Sequence, residues 1–415
     1  MSRRLLIVGL VVLSGLGGGV GTTFASHESV SVLLPGDPLQ GSRLFTGKGC
    51  LRCHAVHGVG GTTGPDLGRR VLNRPLLEIA GVMWNHAPAM EHVFQEKRVR
   101  RPTFEPGEMA SLLSFLYYLG SLDPPGDGAV GAQLFSQKGC EVCHSLGGKG
   151  GNLAPRLDKY TQYTSPLFLT AALWNRGKPM ADAMRNRNIP RPTFQGTDIA
   201  DLLAYIRSAS GGTERVYVEP GKPKSGEALF TKKRCGECHS IGGHGGTVGP
   251  DLTTTTTLKG SLMRIAGSMW NHGPKMWAKM AERAIEVPAL STEEMSDLIS
   301  YLYFFQFIDR PGDARRGLVV YKEKRCGTCH AIRGVGEKVG PDLATGEKLD
   351  TSLEVITGMW NHAATMEEAM LGANVAWPVL KGGEMADLIA YLLQARGGAP
   401  RPAAATGPQP KADRR

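Results

Sequence analysis

The sequence predicts an all-α chain of four small helical domains in tandem. One cysteine motif recurs four times, at intervals of 90, 95 and 91 residues, which is the mark of a repeated unit. Apolar side chains such as Met109, Leu112, Leu113 and Leu116 follow the i, i+3, i+4, i+7 spacing of a helix that faces a core. Proline- and glycine-rich stretches separate the copies. A chain of 415 residues has the length of about three or four ordinary domains, so one large core is not expected.

The recurring motif is Cys-x-x-Cys-His, and it uses all eight cysteines. It is the signature of c-type haem attachment, in which two thiols bond to the haem and the next histidine binds the iron. The sequence predicts four covalently attached haems c, held by Cys50 and Cys53, by Cys140 and Cys143, by Cys235 and Cys238, and by Cys326 and Cys329. The proximal iron ligands are then His54, His144, His239 and His330. Zinc sites and redox-active dithiols are the alternatives, but neither explains a histidine after every second cysteine.

A proline follows each motif histidine at a constant distance of eleven residues: Pro65, Pro155, Pro250 and Pro341. We expect a backbone carbonyl in this loop to accept a hydrogen bond from Nδ1 of the proximal histidine. Such a bond orients the ring and makes the other nitrogen more basic.

A Trp-Asn-x-x-x-x-Met segment lies further along each copy. Its methionine comes 36 or 37 residues after the proximal histidine, and a thioether completes the coordination of low-spin iron. The predicted sixth ligands are therefore Met90, Met180, Met276 and Met366. The tryptophans Trp84, Trp174, Trp270 and Trp360 are expected to pack against the haem, with the indole N–H within reach of a propionate.

Two other sets of side chains compete for the sixth position. Methionines one helical turn later are Met184, Met280 and Met370, but the first copy has Phe94 there. Histidines two residues after the tryptophan are His86, His272 and His362, but the second copy has Arg176. Neither set is common to all copies, which favours the first methionine.

With these residues each copy resembles a class I cytochrome c domain, and the resemblance extends from about residue 36 to residue 396. The helix before each haem motif carries a glycine and, four residues later, an aromatic residue: Gly41/Phe45, Gly131/Phe135, Gly226/Phe230 and Gly317/Tyr321. The last helix of each copy carries an aromatic residue: Phe115, Tyr205, Tyr301 and Tyr391. The resemblance implies that these two helices cross, with the glycine allowing their close approach. A protein core of this size is marginal alone, so the haem is expected to complete it.

The predicted domains, numbered 1 to 4, span residues 36–122, 126–210, 222–308 and 312–396. Copies one and two share an Arg-Pro-Thr-Phe segment that copies three and four lack, so we interpret the array as a doubled pair. Only the middle linker, Gly211 to Lys224, is long enough to act as a hinge between the halves. The Ala/Pro-rich tail, residues 397–415, is expected to be disordered.

The N-terminus reads as an export signal. Arg3 and Arg4 precede an apolar stretch, and Thr23-Phe24-Ala25 is a small-residue site, so residues 1–25 are predicted to be a signal peptide cleaved after Ala25. The protein is then periplasmic or otherwise exported. The alternative is an uncleaved segment that anchors the chain to a membrane, but its glycines and its length argue against a spanning helix.

The formal net charge of +10 ordinarily suggests nucleic acid as a partner. Here the two arginines of the signal segment are removed, and the two propionates on each of four haems bring the net charge to zero. Nucleic-acid binding is therefore not expected, and no nucleotide-binding or hydrolase motif stands out.

The leading interpretation is an exported tetrahaem electron carrier whose partners are other redox proteins or respiratory complexes. Closed coordination on both faces of the iron leaves no room for a small-molecule substrate. The alternatives are a multihaem subunit of a membrane-associated oxidoreductase complex and a peroxidase-like enzyme with one open haem, for which domain 2 is the candidate. Domain 2 departs from the pattern at Arg156 and Arg176, whose charge is expected to favour its reduced iron.

Overall fold

The computed structural model describes residues 36–68, 74–159, 161–211, 220–254, 260–305, 309–346 and 349–397. The predicted signal peptide, the tail beyond Gly397 and the centre of the middle linker lie outside the described residues. In the part of the chain that is described, thirteen α-helices account for most of the structure, which confirms the all-α prediction. No helix within those ranges is long and apolar enough to cross a membrane.

Each domain repeats one order of elements: a first helix, a 3-10 turn with the cysteine motif, a tight antiparallel turn, a distal helix that is split into two in domain 1, and a last helix. Domain 1 contains α1 (Pro38–Gly47), the 3-10 turn Cys50–Arg52, β1 (Ala55–Val56), β2 (Val59–Gly60), α2 (Leu76–Asn85), α3 (Ala87–Glu96) and α4 (Pro106–Leu119). Domain 2 contains α5 (Gly128–Gln137), the 3-10 turn Cys140–Val142, β3 (Ser145–Leu146), β4 (Lys149–Gly150), a further 3-10 turn (Thr161–Thr164), α6 (Pro166–Arg185) and α7 (Asp198–Ala209).

Domains 3 and 4 follow the same plan. Domain 3 contains α8 (Pro223–Lys232), the 3-10 turn Cys235–Glu237, β5 (Ser240–Ile241), β6 (His244–Gly245), α9 (Leu262–Glu282) and α10 (Thr292–Phe304). Domain 4 contains α11 (Ala314–Glu323), the 3-10 turn Cys326–Thr328, α12 (Ser352–Gly372) and α13 (Glu384–Ala395), and its tight turn is closed by a single bridge between Ile332 and Val335.

The first and last helices of every domain cross at the glycine, as expected. A Cβ on Gly41 would lie 1.9 Å from the backbone oxygen of Ser111, a distance that only a residue without a side chain allows. The equivalent distances are between 1.9 and 2.1 Å at Gly131, Gly226 and Gly317. The aromatic pairs pack beside the crossing, with ring centroids between 5.5 and 5.7 Å apart in all four domains. The predicted crossing is therefore confirmed.

A lysine two residues before the first cysteine ties the haem-motif turn to the last helix of its own domain. Lys48 Nζ donates to a carboxylate oxygen of Glu108 at 2.7 Å and to the backbone oxygen of Thr103 at 2.6 Å. The equivalent ion pairs are Lys138–Asp198, Lys233–Glu294 and Lys324–Glu384. Each pair is partly exposed, so it positions the turn and adds only a modest stabilisation.

The domains pack across the middle linker and between the two ends of the chain, not within each half. The helix α6 of domain 2 packs against α9 of domain 3, and α12 of domain 4 packs against α2, α3 and α4 of domain 1. Domains 1 and 3 meet where the hydroxyl of Tyr117 donates to the backbone oxygens of Tyr303 and Phe304, at 3.0 and 3.1 Å. One hydrophobic cluster contains buried residues from all four domains.

The halves of the chain are consequently not two bodies joined only by a hinge, as the length of the middle linker suggested. The described residues of all four domains form one compact unit. The expectation is wrong because linker length measures only how far two halves can separate, whereas the apolar faces of their helices decide whether they do.

Candidate haem sites

The cysteine motif is held as a 3-10 turn whose entry residue has a left-handed backbone. This residue is glycine in domains 1 and 2, with φ of 84° at Gly49 and 71° at Gly139. Arg234 and Arg325 occupy the same position in domains 3 and 4, with φ of 63° and 60°. Behind the turn, the backbone N–H of His54 donates to Cys50 O at 2.9 Å, and the other three motifs make the same bond.

The first thiol of each motif lies mostly buried. Burial raises the pKa of these thiols to about 11 at Cys50, Cys140, Cys235 and Cys326. These thiols are therefore protonated at neutral pH, and the protonated thiol is the form that adds to a haem vinyl group.

The second cysteine of each motif ends the turn and directly precedes the histidine. Its backbone N–H donates to the carbonyl oxygen of the first cysteine at distances of 3.1 to 3.3 Å, in the pairs Cys53–Cys50, Cys143–Cys140, Cys238–Cys235 and Cys329–Cys326. All eight cysteines keep part of their surface exposed, and none of them is joined in a disulfide. The second cysteine therefore has the same position within its motif in all four domains, at Cys53, Cys143, Cys238 and Cys329. Both thiols of every motif are free for the predicted attachment, and the attachment itself stays a prediction.

Each proximal histidine is fixed through Nδ1. The distances from Nδ1 to the proline oxygen are 3.0 Å for His54–Pro65, 2.8 Å for His144–Pro155, 3.0 Å for His239–Pro250 and 2.9 Å for His330–Pro341. A carbonyl oxygen only accepts, so Nδ1 carries the proton and Nε2 keeps a free lone pair for iron. The predicted bond to the proline loop is confirmed in all four copies.

The aspartate of Gly-Pro-Asp-Leu anchors the tight turn between the two short strands, a role that the sequence analysis missed. Asp66 accepts hydrogen bonds from the backbone of His57 and Gly58, at 2.9 and 2.7 Å, and Asp342 does the same in domain 4. In domain 3 partial burial would raise the pKa of Asp251. Hydrogen bonds from Thr253, Gly243 and Ser240 outweigh this and lower it to about 2. The available signal was the distance of this aspartate from the histidine, which is the same in domains 1, 3 and 4.

Domain 2 replaces that aspartate with Arg156 and moves the carboxylate two residues on. Asp158 accepts the backbone N–H of Gly147 at 3.0 Å and binds the Arg156 guanidinium at 3.1 and 3.2 Å. The partner carboxylate offsets the charge of Arg156, so this loop is neutral in domain 2, whereas Asp66, Asp251 and Asp342 leave it negative in the other domains. The expected effect on the reduced iron stays a prediction. Arg176, the other departure, is exposed.

The predicted distal methionines all lie on the helix between the proline loop and the last helix. Met90, Met180, Met276 and Met366 are partly buried and pack against the hydrophobic cluster. Met280 does so as well, so burial alone does not decide between it and Met276. The competing histidines His86, His272 and His362 are exposed and use Nδ1 on a carbonyl of their own helix. The assignment of the sixth ligand stays a prediction.

The indole N–H of each Trp-Asn tryptophan donates to a backbone oxygen and is therefore not left free for a propionate. Trp84 donates to Pro378 O at 2.7 Å and Trp174 donates to Pro288 O at 2.8 Å. In the opposite direction, Trp270 donates to Pro192 O at 2.7 Å and Trp360 donates to Pro102 O at 2.8 Å. The expectation was wrong because every acceptor lies in another domain, and a buried indole N–H takes the nearest well-placed oxygen.

The asparagine that follows each tryptophan completes this contact, and the sequence analysis assigned it no role. The side chain of Asn175 donates to Leu290 O at 2.8 Å and accepts from Leu290 N at 2.9 Å, as a neighbouring β-strand would. The same pair of bonds joins Asn271 to Phe194, Asn85 to Leu380 and Asn361 to Phe104. We call each Trp-Asn pair with its acceptor segment a clasp. Its signal in the sequence is the invariable Asn after Trp.

Two arginines beside the clasps retain hydrogen-bond donors without partners. Arg101 lies over the Trp360 ring and Arg191 over the Trp270 ring, each 4.1 Å from the ring centroid. Among the described residues, Nε and Nη2 of Arg101 and Nε of Arg191 are buried and have no acceptor. Burial lowers the pKa of both guanidinium groups. Arg101 Nη1 pairs with Glu91 at 3.2 Å, and a haem propionate would satisfy the donors that remain unpaired in both arginines.

The chemistry of the sites therefore fits haem. Every copy has two thiols, an imidazole with a free Nε2 and a thioether-bearing helix, and two of the four clasps add an arginine with unpaired donors. No three His, Cys, Asp or Glu side chains in the described ranges come together in a way that could hold a metal ion.

Comparison with known proteins gives one match. The Cytochrome c family model matches residues 129–210, 223–303 and 314–396, which together make up more than half of the chain. No curated protein and no solved structure matches the chain significantly. Residues 36–122 lie outside the matched ranges, and there the structure repeats the helix crossing at Gly41 and the bond from His54 to Pro65.

Proposed function

The chain belongs to the cytochrome c family, and from this we propose that it is an exported tetrahaem c-type cytochrome that carries single electrons between redox partners of a respiratory chain. The observation that carries the proposal is the fourfold repetition of one arrangement. Each copy places two thiols beside an imidazole whose Nδ1 is held by a proline carbonyl. Haem binding and helical cytochrome c domains are established by the family, and the number four rests on this repetition.

The residues of the chain set how readily each site takes up an electron. A bound haem supplies an iron that accepts and releases one electron. The proline carbonyl increases the basicity of Nε2, which favours the oxidised iron, while a methionine thioether favours the reduced iron. Burial of the site against the hydrophobic cluster works in the same direction as the thioether, because a low dielectric disfavours the extra positive charge.

We further propose that the protein is a carrier and not an enzyme. The motif histidine and the predicted methionine of each copy would hold the iron from both sides, and no position would then be open to a substrate. The partners are then other redox proteins or respiratory complexes, and the location is the periplasm or another exported compartment. Purification with native partners distinguishes a free carrier from a subunit of a membrane-associated oxidoreductase complex.

Haem stoichiometry is the direct test. Intact mass of the mature protein should equal that of the chain from Ser26 plus four haems. Replacing Cys50 and Cys53 together by serine should leave three, and the matched change at Cys140 and Cys143 should do the same. A wild-type mass with three haems, unchanged in the domain 1 variant, would contradict the four-haem proposal while leaving the family intact.

The N-terminus of the native protein tests the proposed export. Residues 1–25 should be absent from the native protein, and N-terminal sequencing should begin at Ser26. A native protein that begins at Met1 and stays with membranes would instead support the uncleaved anchor.

A further inference from the structure

The clasps join domains that are not neighbours along the chain, or that are separated by its longest linker. Resting on the tetrahaem function proposed above, we propose that the haems act as two redox-coupled pairs, domain 2 with domain 3 and domain 1 with domain 4. The haems of domains 1 and 2, or of 3 and 4, which follow each other in sequence, are then more weakly coupled.

The pairing of domains 2 and 3 is reciprocal. Trp174 and Asn175 bind the backbone at Pro288 and Leu290, while Trp270 and Asn271 bind the backbone at Pro192 and Phe194. Arg191 adds a bond from Nη2 to Trp270 O at 2.6 Å. Each domain thus gives and receives the same contact, which is the signature of an isologous interface.

The clasp is located next to the predicted distal ligands. Met180 and Met276 follow Asn175 and Asn271 by five residues, on α6 and α9, and these two helices pack against each other. The ring of Trp277, directly after Met276, lies against Gly177, where a Cβ would come within 3.0 Å of it. The helices that carry the distal ligands are therefore the elements that form the interface.

Domains 1 and 4 repeat this arrangement. Their reciprocal contacts run from Trp84 and Asn85 to Pro378 and Leu380, and back from Trp360 and Asn361 to Pro102 and Phe104. Met90 lies on α3 and Met366 on α12, and α3 packs against α12. The Trp84 ring also stacks on Trp377, with centroids 4.2 Å apart.

The pairs of domains within each half of the chain share no comparable contact. In the part of the chain that the structure describes, no clasp joins domain 1 to domain 2 or domain 3 to domain 4, and none of their helices packs extensively together. The two clasped pairs are joined to each other through domains 1 and 3 and the linkers that follow them, where Asp123 accepts from Met263 N at 2.9 Å and Asp309 accepts from Leu77 N at 3.1 Å. The order of contact through the molecule is therefore 2, 3, 1, 4.

This order has a consequence for electron transfer. A ferric haem carries one more positive charge than a ferrous haem, so an oxidised neighbour raises the potential of the haem beside it, and the effect grows as the distance falls. Coupling should be strongest across the clasps.

Double variants test which haems are coupled. Met276→Ala opens the haem of domain 3 and lowers its potential, so that it titrates after the others are reduced. Adding Met180→Ala keeps the haem of domain 2 oxidised over the same range, and adding Met366→Ala does so for domain 4. Both opened haems of a double variant contribute to its high-spin spectrum. We expect this combined titration to begin at a higher potential than the sum of the two single-variant titrations, by more with Met180→Ala than with Met366→Ala.

An equal shift, or a larger one with Met366→Ala, overturns the pairing while four intact haems leave the carrier function standing. Methionine-to-histidine changes at the same positions serve where the alanine variants do not assemble, because they keep six ligands and still lower the potential. A wild-type protein that contains fewer than four haems is a separate result, and it would count against the proposed tetrahaem function.

A second measurement does not depend on the ligand assignment. Asn175→Ala with Asn271→Ala should move two of the four midpoint potentials, and Asn85→Ala with Asn361→Ala should move the other two. Gln95→Ala, at an exposed and uncharged position of α3 that takes no part in a clasp, is the control and should move none. If both clasp variants shift the same haems, or all four haems equally, the pairing is wrong.

Discussion

At the scale of single residues, the proximal side of each site follows from local sequence, whereas the distal side depends on a helical register. Cysteines, histidine and proline are joined by a short loop, so their spacing nearly determines their contacts. The distal methionine lies on a helix where a second methionine comes one turn later in three of the four copies.

Replacing Met276 by alanine should open one haem to carbon monoxide and lower its potential, because the thioether that favours the reduced iron is lost. A shift of about 59 mV corresponds to a tenfold change in the one-electron equilibrium. Met280→Ala is the matched control, since Met280 also packs against the cluster, and it should bind no carbon monoxide. If only Met280→Ala opens the haem, the ligand is one helical turn later. If neither variant does, His272 becomes the candidate.

The carboxylate of Asp309 provides a test that depends on pH. Burial raises its pKa to about 7, with Glu78 nearby adding to the effect, although it accepts the N–H of Leu77 at the start of α2. A pKa raised on folding means that the native state holds the proton more tightly than the unfolded chain does. Stability from this group is therefore full below about pH 4 and falls as the pH rises to about 7.

Asp309→Asn should remove this penalty while keeping an oxygen for Leu77. The free energy of unfolding should rise at pH 8, by at most about 4 kcal/mol, and should change little at pH 4. Denaturant titrations of the holoprotein at the two pH values measure the difference. An equal effect at both would mean that Asp309 does not titrate between them.

At the scale of elements, each domain depends on the crossing of its first and last helices. The family resemblance led us to expect this crossing, and the structure has it because the glycine lets one backbone touch the other. The tight turn, the lysine tie and the proline loop then hold the cysteine motif against that crossing.

Gly41→Ala should disrupt domain 1, since a Cβ there would lie 1.9 Å from backbone that cannot move alone. We expect a loss of about 3 kcal/mol or more, or failure to take up the first haem. Gly47→Ala, in the same helix with nothing within 4 Å of the added carbon, should instead stabilise the protein by about 0.5–1 kcal/mol. Thermal unfolding and haem content measure both, and a harmless Gly41→Ala would show that the helices do not cross closely.

At the scale of the whole molecule, the clasps make one unit of four repeated domains. A substitution in one domain should therefore change the local stability of the domain that it is clasped to, although the two contact segments are far apart in sequence.

Asn175→Ala removes two hydrogen bonds and leaves the buried N–H and C=O of Leu290 without partners, which should cost about 2–4 kcal/mol. Hydrogen exchange should quicken around Leu290 in domain 3 and stay unchanged at Phe104 in domain 1. Arg176→Ala, next to it and exposed, should affect neither. Faster exchange confined to domain 2 would contradict the clasp.

The sequence by itself determined the family, the helical class, the attachment motif and the bond that orients each proximal histidine. These features are local: their residues are separated by short segments that leave the chain little choice, and four copies could be compared with one another. The same comparison revealed that Trp and Asn recur together, but not what they bind.

Only the tertiary structure decided which domains pair, and with it the roles of the tryptophans, the asparagines and Asp309. The acceptor of Trp84 lies in domain 4 and that of Trp174 in domain 3, both beyond linkers whose sequence does not restrict direction. A repeat predicts that its copies share one fold. It does not predict their arrangement, because that follows from the fit of folded surfaces and exists only once those surfaces have formed.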